Sequence, residues 1–540
     1  MRNKLQIVCS TFLLMLIANT VAAAEGIDDK INKAFEPVAN AWEAFVFTSV
    51  PLGDSLMVPI VLIVLIGGAV FFTLYFSFVN IRRFPMAIKV VQGKYDFVEG
   101  NNNIKTHPDE DAPLPISEEE RREGEVSHFQ ALTAAVSGTV GLGNIAGVAV
   151  AIAVGGPGAT FWLVVAGLLG MSSKFVECTL GVKYRDVEAD GTVHGGPMYY
   201  LSKGFKELKM GGLGKVFALV FAVLCVGASF GGGNAFQSNQ AVAQIASTFN
   251  LEGGFIKTLL GLVVAGIVAM VIIGGIKRIA VWTERLVPFM AGLYMLACLI
   301  IIGVHISYLP EAVRLIFSEA FSPSAGLGGF LGVLITGFRR AAFSNEAGVG
   351  SAAIAHSAVR TRYPASEGVV SLLEPFIDTV VICTMTALVI IFFNKDGIFD
   401  YGLINSAGNV VIKSTGQSVG GVDLTTLAFD AVIPHFSYLL TIAIVLFAFS
   451  TMISWSYYGL QAWKYLFGRS KASDITYKAL YLVFVVIGAA ATLDSVVKFS
   501  DAMILAMVVP NMIGLILLSP KVKMELERYV TAVKKVFKAD

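Results

Sequence analysis

The apolar residues of this chain come in long runs, each near the ~20 residues that an α-helix needs to cross the hydrocarbon core of a bilayer. The runs lie at 52–79, 129–154, 159–182, 216–243, 256–273, 286–306, 326–355, 369–393, 438–463, 479–491 and 502–518. This pattern predicts an all-α integral membrane fold of about eleven transmembrane helices. Lys and Arg gather in the connectors after every other run: Arg82 and Arg83, Lys183 and Arg185, Lys277 and Arg278, Arg360 and Arg362, Lys464 and Arg469, and Lys521 and Lys523. All these clusters fall on one side, which the positive-inside rule assigns to the cytoplasm.

The remaining segments follow from that orientation. Residues 1–24 read as a secretory signal peptide, with Arg2 and Lys4 ahead of an apolar stretch and Ala22 and Ala24 as a small-residue cleavage site. An uncleaved span is the alternative, and either way Glu25 starts outside the cytoplasm. A periplasmic segment (25–51), an extra transmembrane helix (52–80) and a cytoplasmic linker (81–127) come next, the linker holding the acidic stretch HPDEDAPLPISEEERREGE. Two sets of five helices, 128–307 and 326–519, are joined by a periplasmic loop at 308–325. The second set carries a longer periplasmic loop, 394–435, and residues 520–540 form a cytoplasmic tail. The expected location is the bacterial inner membrane, multi-pass, with the mature N-terminus periplasmic and the C-terminus cytoplasmic.

Composition removes several alternatives. Of 540 residues 55% are hydrophobic and 15% charged, and the mean hydropathy of +0.72 excludes a soluble domain and makes the lipid bilayer the first partner. A net charge of +1 gives no basic excess for nucleic acid. The five cysteines, Cys9 in the leader and Cys178, Cys225, Cys298 and Cys383 in apolar runs, have no paired spacing for disulfides or zinc. The six histidines show no HExxH spacing, and no acid–base pair shares a helix face, which argues against a membrane enzyme.

Polar residues inside the runs carry the functional reading. SGTVGLGNIAGVAV, residues 137–150, interrupts the second run with glycines and Asn144. Gly141 and Gly143 lower the cost of leaving helical dihedrals, and unwound backbone survives at membrane depth only where it lines a cavity. Close packing through Gly143 and Gly147 accounts for those glycines but not for Asn144. A broken helix is therefore expected, with free N–H groups suited to a carboxylate and freed carbonyls suited to a cation or ammonium. Five helices later FSNEAGVGSAA repeats the pattern with Ser344, Asn345 and Glu346; an odd offset makes the two sets an inverted repeat. Glu346 is expected in gating or structural pairing, with Arg339 or Arg340 as partner. Gln237 and Trp455, each on the third helix of its set, are expected beside the breaks, as an amide for a carboxylate and a ring closing a small pocket. An occluded pocket between two broken helices favours alternating access over a passive channel.

TVGLGNIAGVAVAIAVGGPGATFW, GGPMYYL from Gly195, RAAFSNEAGVGSAAIAHSA and FAFSTMISWSYYG resemble signature segments of the alanine or glycine:cation symporter family, the sodium:alanine symporters, and the likeness runs from about Phe129 to the last helix. The resemblance implies a leucine-transporter-type 5+5 inverted repeat with one extra N-terminal helix. It implies import of a small neutral amino acid, alanine and/or glycine, with co-transported sodium and no organic cofactor. Substrate contacts carried over by the resemblance fall on Thr139, Gly141, Gly143, Asn144, Gln237, Phe343, Thr451 and Trp455. The implied sodium site combines second-helix carbonyls with Thr451 and Ser454. Leu142 stands where the family carries a small polar residue, which leaves the exact substrate open among alanine, glycine, serine and glutamine. Coupling to protons and the oligomeric state stay open independently of it.

Overall fold

The structure, a computed structural model, describes residues 26–51, 57–99, 124–272, 275–321, 329–405 and 409–537. The expected signal peptide, most of the acidic linker and part of the 308–325 loop lie outside the described residues. Helices dominate. In chain order the principal ones are α1 (Ile27–Val46), α2 (Ile60–Tyr75), α3 (His128–Thr139), α4 (Val148–Gly155), α5 (Gly158–Lys183), α6 (Gly211–Phe230), α7 (Phe236–Thr248), α8 (Ile256–Ile272) and α9 (Gly275–Val304). They continue as α10 (Gly329–Asn345), α11 (Ala352–His356), α12 (Pro364–Val370), α13 (Thr384–Phe393), α14 (Val422–Asp430), α15 (Phe436–Phe467), α16 (Lys471–Ala490), α17 (Leu493–Ala506) and α18 (Val508–Phe537). Antiparallel two-stranded ribbons pair Ser49 with Pro59, Asp186 with His194 and Val410 with Val419 in the connectors.

Among the described residues seven helices are long and apolar enough to cross a membrane, or eight if α3 and α4, bent by 50° at their break, count as one span. Two shorter apolar helices, α2 and α8, accompany them. The run at 326–355 is helical as α10 and again as α11, with the chain leaving the helix between. Large apolar side chains face outward from these helices, among them Leu262, Phe289 and Leu296. Such a surface needs hydrocarbon around it, and every backbone group inside it needs an internal partner.

Local sequence explains several boundaries. Ser127 and Gln130 form a reciprocal capping box at the start of α3: Gln130 N–H donates to Ser127 Oγ at 3.2 Å and Ser127 N–H to Gln130 Oε1 at 3.1 Å. Ser470 and Thr492 cap α16 and α17 in the same donor-satisfying way. Three segments wind more widely than an α-helix, Gly143–Gly147, Gly231–Ala235 and Phe376–Cys383; Gly147 N–H, for example, reaches back five residues to Leu142 O at 3.0 Å. At the centre α15 lies along α3, α6 and α7, while α5 packs on α2, α10 and α12. The segment expected as a plain periplasmic stretch contains α1, which lies along α17. The expected loop cover contains α14, whose Thr425 hydroxyl donates to Ile145 O at 3.3 Å.

Candidate functional site

The first break begins where α3 stops at Thr139. Two backbone donors that a continuous helix would satisfy are instead met by side chains: Gly141 N–H donates to Asn144 Oδ1 at 2.9 Å and Leu142 N–H to Gln237 Oε1 at 3.1 Å. Asn144 also uses its donor side, giving Nδ2 to Asp378 O at 3.0 Å and to Asp378 Oδ1 at 2.6 Å. An unpaired buried donor costs about 1–3 kcal/mol, so one amide that satisfies both sides of the break accounts for an Asn in an apolar run. Gln237 is engaged at both ends too, its Nε2 donating to Gly232 O at 2.9 Å.

The second break converges on the same carboxylate. Ser344 Oγ donates to Asp378 Oδ2 at 2.8 Å and Thr379 Oγ1 to the same oxygen at 2.6 Å. Asn345 ties the break down by donating to Thr379 Oγ1 at 2.8 Å and accepting Ala347 N–H at 2.9 Å. Glu346 stands in the left-handed region at φ 55°, a conformation costing roughly 1–2 kcal/mol for a residue with a Cβ. Trp455 Nε1 donates to its Oε1 at 2.8 Å, and the Ser351 hydroxyl donates to Oε2. These bonds, and Gly348 and Gly350 at φ 82° and 96° just beyond, hold the turn.

The partner expected for Glu346 differs. Arg339 Nε donates to Asp501 Oδ2 at 2.6 Å and its Nη2 to Glu43 Oε1 at 3.2 Å, while Arg340 pairs with Asp501. The reason is rotational: on α10 both arginines precede the break by more than a turn and reach sideways to α17 and α1, not forward along the chain.

Close approach gathers most of the expected site residues. A Cβ on Gly141 would lie 2.3 Å from Thr451 Oγ1, and one on Gly143 would lie 3.3 Å from the Phe343 ring. Gly233 leaves equally little room against the Trp455 ring, 2.2 Å, and Phe343 meets Phe236 edge-on at 5.0 Å between ring centres. Gly141, Gly143, Asn144, Gln237, Phe343, Thr451 and Trp455 thus surround the first break, the wide turn at 231–235 and the middle of α15. Thr139 does not join them through its hydroxyl, which turns back to Ala135 O at 3.3 Å and Val136 O at 3.4 Å. Thr451 Oγ1 donates to Ser137 O and Ser454 Oγ to Ala134 O, both at 3.1 Å. The two hydroxyls, three residues apart on one helical face, therefore meet a carbonyl of the last turn of α3, Ser137, and one a turn earlier, Ala134.

Sequence reading missed Asp378, although its signal was there: a carboxylate inside the apolar run 369–393 is a functional-site hypothesis by default. It also missed two charged clusters flanking the second break. Beside Arg339 and Arg340 opens a cavity of about 210 Å³, walled also by Glu43, Asp494 and Lys498. Past the break, His356 faces Glu367 and Glu374, and Lys174 donates to Glu374 at 3.0 Å.

The model of the sodium:alanine symporter family matches residues 43–539. The sodium/alanine symporter AgcS of Methanococcus maripaludis is 39% identical over 472 residues, 87% of this chain and 94% of that one. The probable sodium/glutamine symporter GlnT of Bacillus subtilis is 33% identical over 478 residues, 88% of this chain and 89% of its own. Among solved structures MhsT in complex with L-phenylalanine aligns with 75% of this chain and 99% of that one, at 15% identity and a TM-score of 0.46. The family and these relatives are transporters, not enzymes, and a match of this extent makes the chain a multi-pass cation-coupled amino-acid symporter that belongs to the sodium:alanine symporter family.

Proposed function

We propose that this chain imports a small neutral amino acid, alanine and/or glycine, by symport with sodium through alternating access. In this reading eleven spans cross the bacterial inner membrane, with 128–307 and 326–519 as inverted repeats, 52–80 as the extra helix, residues 25–51 and 394–435 periplasmic, and 81–127 and 520–540 cytoplasmic. The observation that carries it is the set of four oxygens where α15 meets the end of α3: the hydroxyls of Thr451 and Ser454 and the carbonyls of Ser137 and Ala134. A hard monovalent cation as cargo takes several neutral oxygens, and a helix ending at membrane depth supplies carbonyls whose dipoles point at it. The amino acid then lies beside Gly141 and Gly143, with Gln237, Phe343, Thr451 and Trp455 around it. GlnT among the relatives favours a second reading, glutamine as substrate. Uptake of a panel of labelled amino acids into reconstituted vesicles, under separately imposed sodium, lithium and proton gradients, decides between them.

Thr451→Val tests the cation assignment, because it keeps the shape and deletes one oxygen. Sodium affinity falls, and apparent alanine affinity falls with it at fixed sodium, since coupled binding free energies are reciprocal. Saturating sodium restores alanine binding if Thr451 serves the ion. Uptake by the Val variant with an unaltered sodium dependence removes Thr451 from the cation site.

A further inference from the structure

Six ionisable side chains form one line through the bundle on the far side of both breaks. Glu99, at the end of the short helix Asp96–Glu99, meets His128 Nε2 at 2.5 Å. His128 Nδ1 meets Glu367 Oε2, and Glu367 Oε1 meets His356 Nδ1 at 2.5 Å. His356 Nε2 faces Glu374 Oε2 at 3.4 Å, and Glu374 Oε1 accepts from Lys174 at 3.0 Å. All six are buried. At one end the hydroxyls of Tyr529 and Thr361 donate to Glu99 at 2.8 and 3.1 Å, and Asp96 lies within electrostatic reach of His128. At the other, Glu177 and Glu346 lie within electrostatic reach of Lys174, and Glu177 accepts from Asn511 at 3.2 Å. Among the described residues no group of three His, Cys, Asp or Glu could hold a metal ion.

Counting protons fixes what holds this line together. A neutral imidazole has one N–H and one bare nitrogen, and an ionised carboxylate only accepts. Both rings place both nitrogens against carboxylate oxygens, so every one of those contacts needs a proton of its own. The pair of rings therefore binds one proton each beyond the neutral form, whether it rests on nitrogen or on a carboxyl oxygen. With those two protons the three carboxylates are balanced by two imidazolium ions and Lys174. Without them a net negative charge is left in a buried place, which is costly.

The positions of the rings give the line a mechanical meaning. His128 is the first residue of α3, and His356 is the last residue of α11. These are the half-helices on the same side of the two breaks, and Glu367 of α12 touches both. We propose that the line Glu99–His128–Glu367–His356–Glu374 is a proton-binding site whose bound protons clamp the start of α3 to the end of α11. The proton is a ligand here and not cargo. The clamp bears on transport only through the alternating-access reading above, but it is measurable without any substrate.

The test is backbone deuterium exchange over residues 129–139 of the full chain in lipid nanodiscs, without amino acid, from about pH 6 to about pH 9, each rate divided by its intrinsic value. Parting α3 from Glu99 and Glu367 lets His128 return to an ordinary imidazole, which titrates near 6.5. Above that, each opening releases one proton, so protection falls roughly tenfold per pH unit. His128→Gln flattens the profile, because an amide takes up no proton and α3 then opens without releasing one. His128→Asn flattens it too, and serves alone should His128→Gln fail to fold. Wild-type protection that does not change with pH overturns the proposal, as does a steep profile surviving in the variants. A steep wild-type profile in a protein that moves no amino acid leaves the clamp standing and removes the transport reading instead.

Discussion

The second broken helix has a charged cluster on each side of its interruption, and the two are built on opposite terms. Ahead of the break Arg339 and Arg340 share Asp501, while Glu43 joins from α1 and the 210 Å³ cavity opens alongside. Arg339 and Glu43 each keep 26% of their side-chain surface exposed, so water reaches the tip of this cluster, while Arg340 and Asp501 at its root are buried. Beyond the break, the Lys174–Glu374 pair and His356 are shut off completely at 0% exposure, and His128 keeps only 5% of its side chain exposed. The charges of the two clusters therefore carry very different energies. A cluster with an open tip can exchange a partner for water at little cost, whereas a sealed line can change only by breaking several contacts together or by losing a proton. One end of the break is therefore loosely held and the other tightly held.

Removing single members ranks the two ends. Lys174→Met strands Glu374 and should cost about 3–5 kcal/mol, seen as a large drop in the unfolding temperature of the purified protein; Lys174→Met with Glu374→Gln should recover much of it. An unchanged unfolding temperature in the single variant would mean that water enters the sealed line. Asp501→Asn, at the buried root of the outer cluster, leaves two guanidinium groups with only Glu43, and a loss of about 2–3 kcal/mol is expected. Next comes Asp423, on α14, whose carboxyl burial pushes up to about 6 against the pull of Ser247 and Lys257. A raised carboxyl favours the neutral form in the folded state, so its stabilising effect is present at low pH and fades as pH rises through about 6. Asp423→Asn should therefore unfold later than wild type above neutrality, by on the order of 1 kcal/mol, and match it in acid. Thermal scans across pH that stay parallel would place water around Asp423. Glu43→Gln should do least, no more than about 1 kcal/mol, vanishing in molar salt; a salt-insensitive loss would show that α1 seals the outer cluster more tightly than its exposure implies.

The interruptions were legible because Gly and Asn are out of place in an apolar run: Gly141, Gly143 and Asn144 on one helix, Asn345 and Glu346 on another. Their partners were not. Asn144 and Asp378 are 234 positions apart, and no spacing rule reaches that far. Trp455 could be placed near a break, yet nothing in its surroundings along the chain says that its N–H is directed to Glu346. Histidines were sought at metal-ligand spacings, which finds sites built within one helix; His128 and His356 come together through Glu367 only because two half-helices end side by side. Along the chain Arg339 and Arg340 point towards Glu346, but a helix sends side chains sideways, and α1, in the segment expected as periplasmic, supplies the Glu43 that receives Arg339.

The three wide turns, at 143–147, 231–235 and 376–383, bear on how this sequence can change over time. A turn that bonds five residues back holds one residue more than an α-helix needs, and everything after it is rotated by about 100° relative to an uninterrupted helix. Loss of one glycine from the triplet at 231–233 would leave a smooth, better-bonded helix whose Gln237 points elsewhere. Single-residue gaps between distant descendants should therefore be rare at these three places, and a lineage that does carry one is where a changed cargo should be sought first.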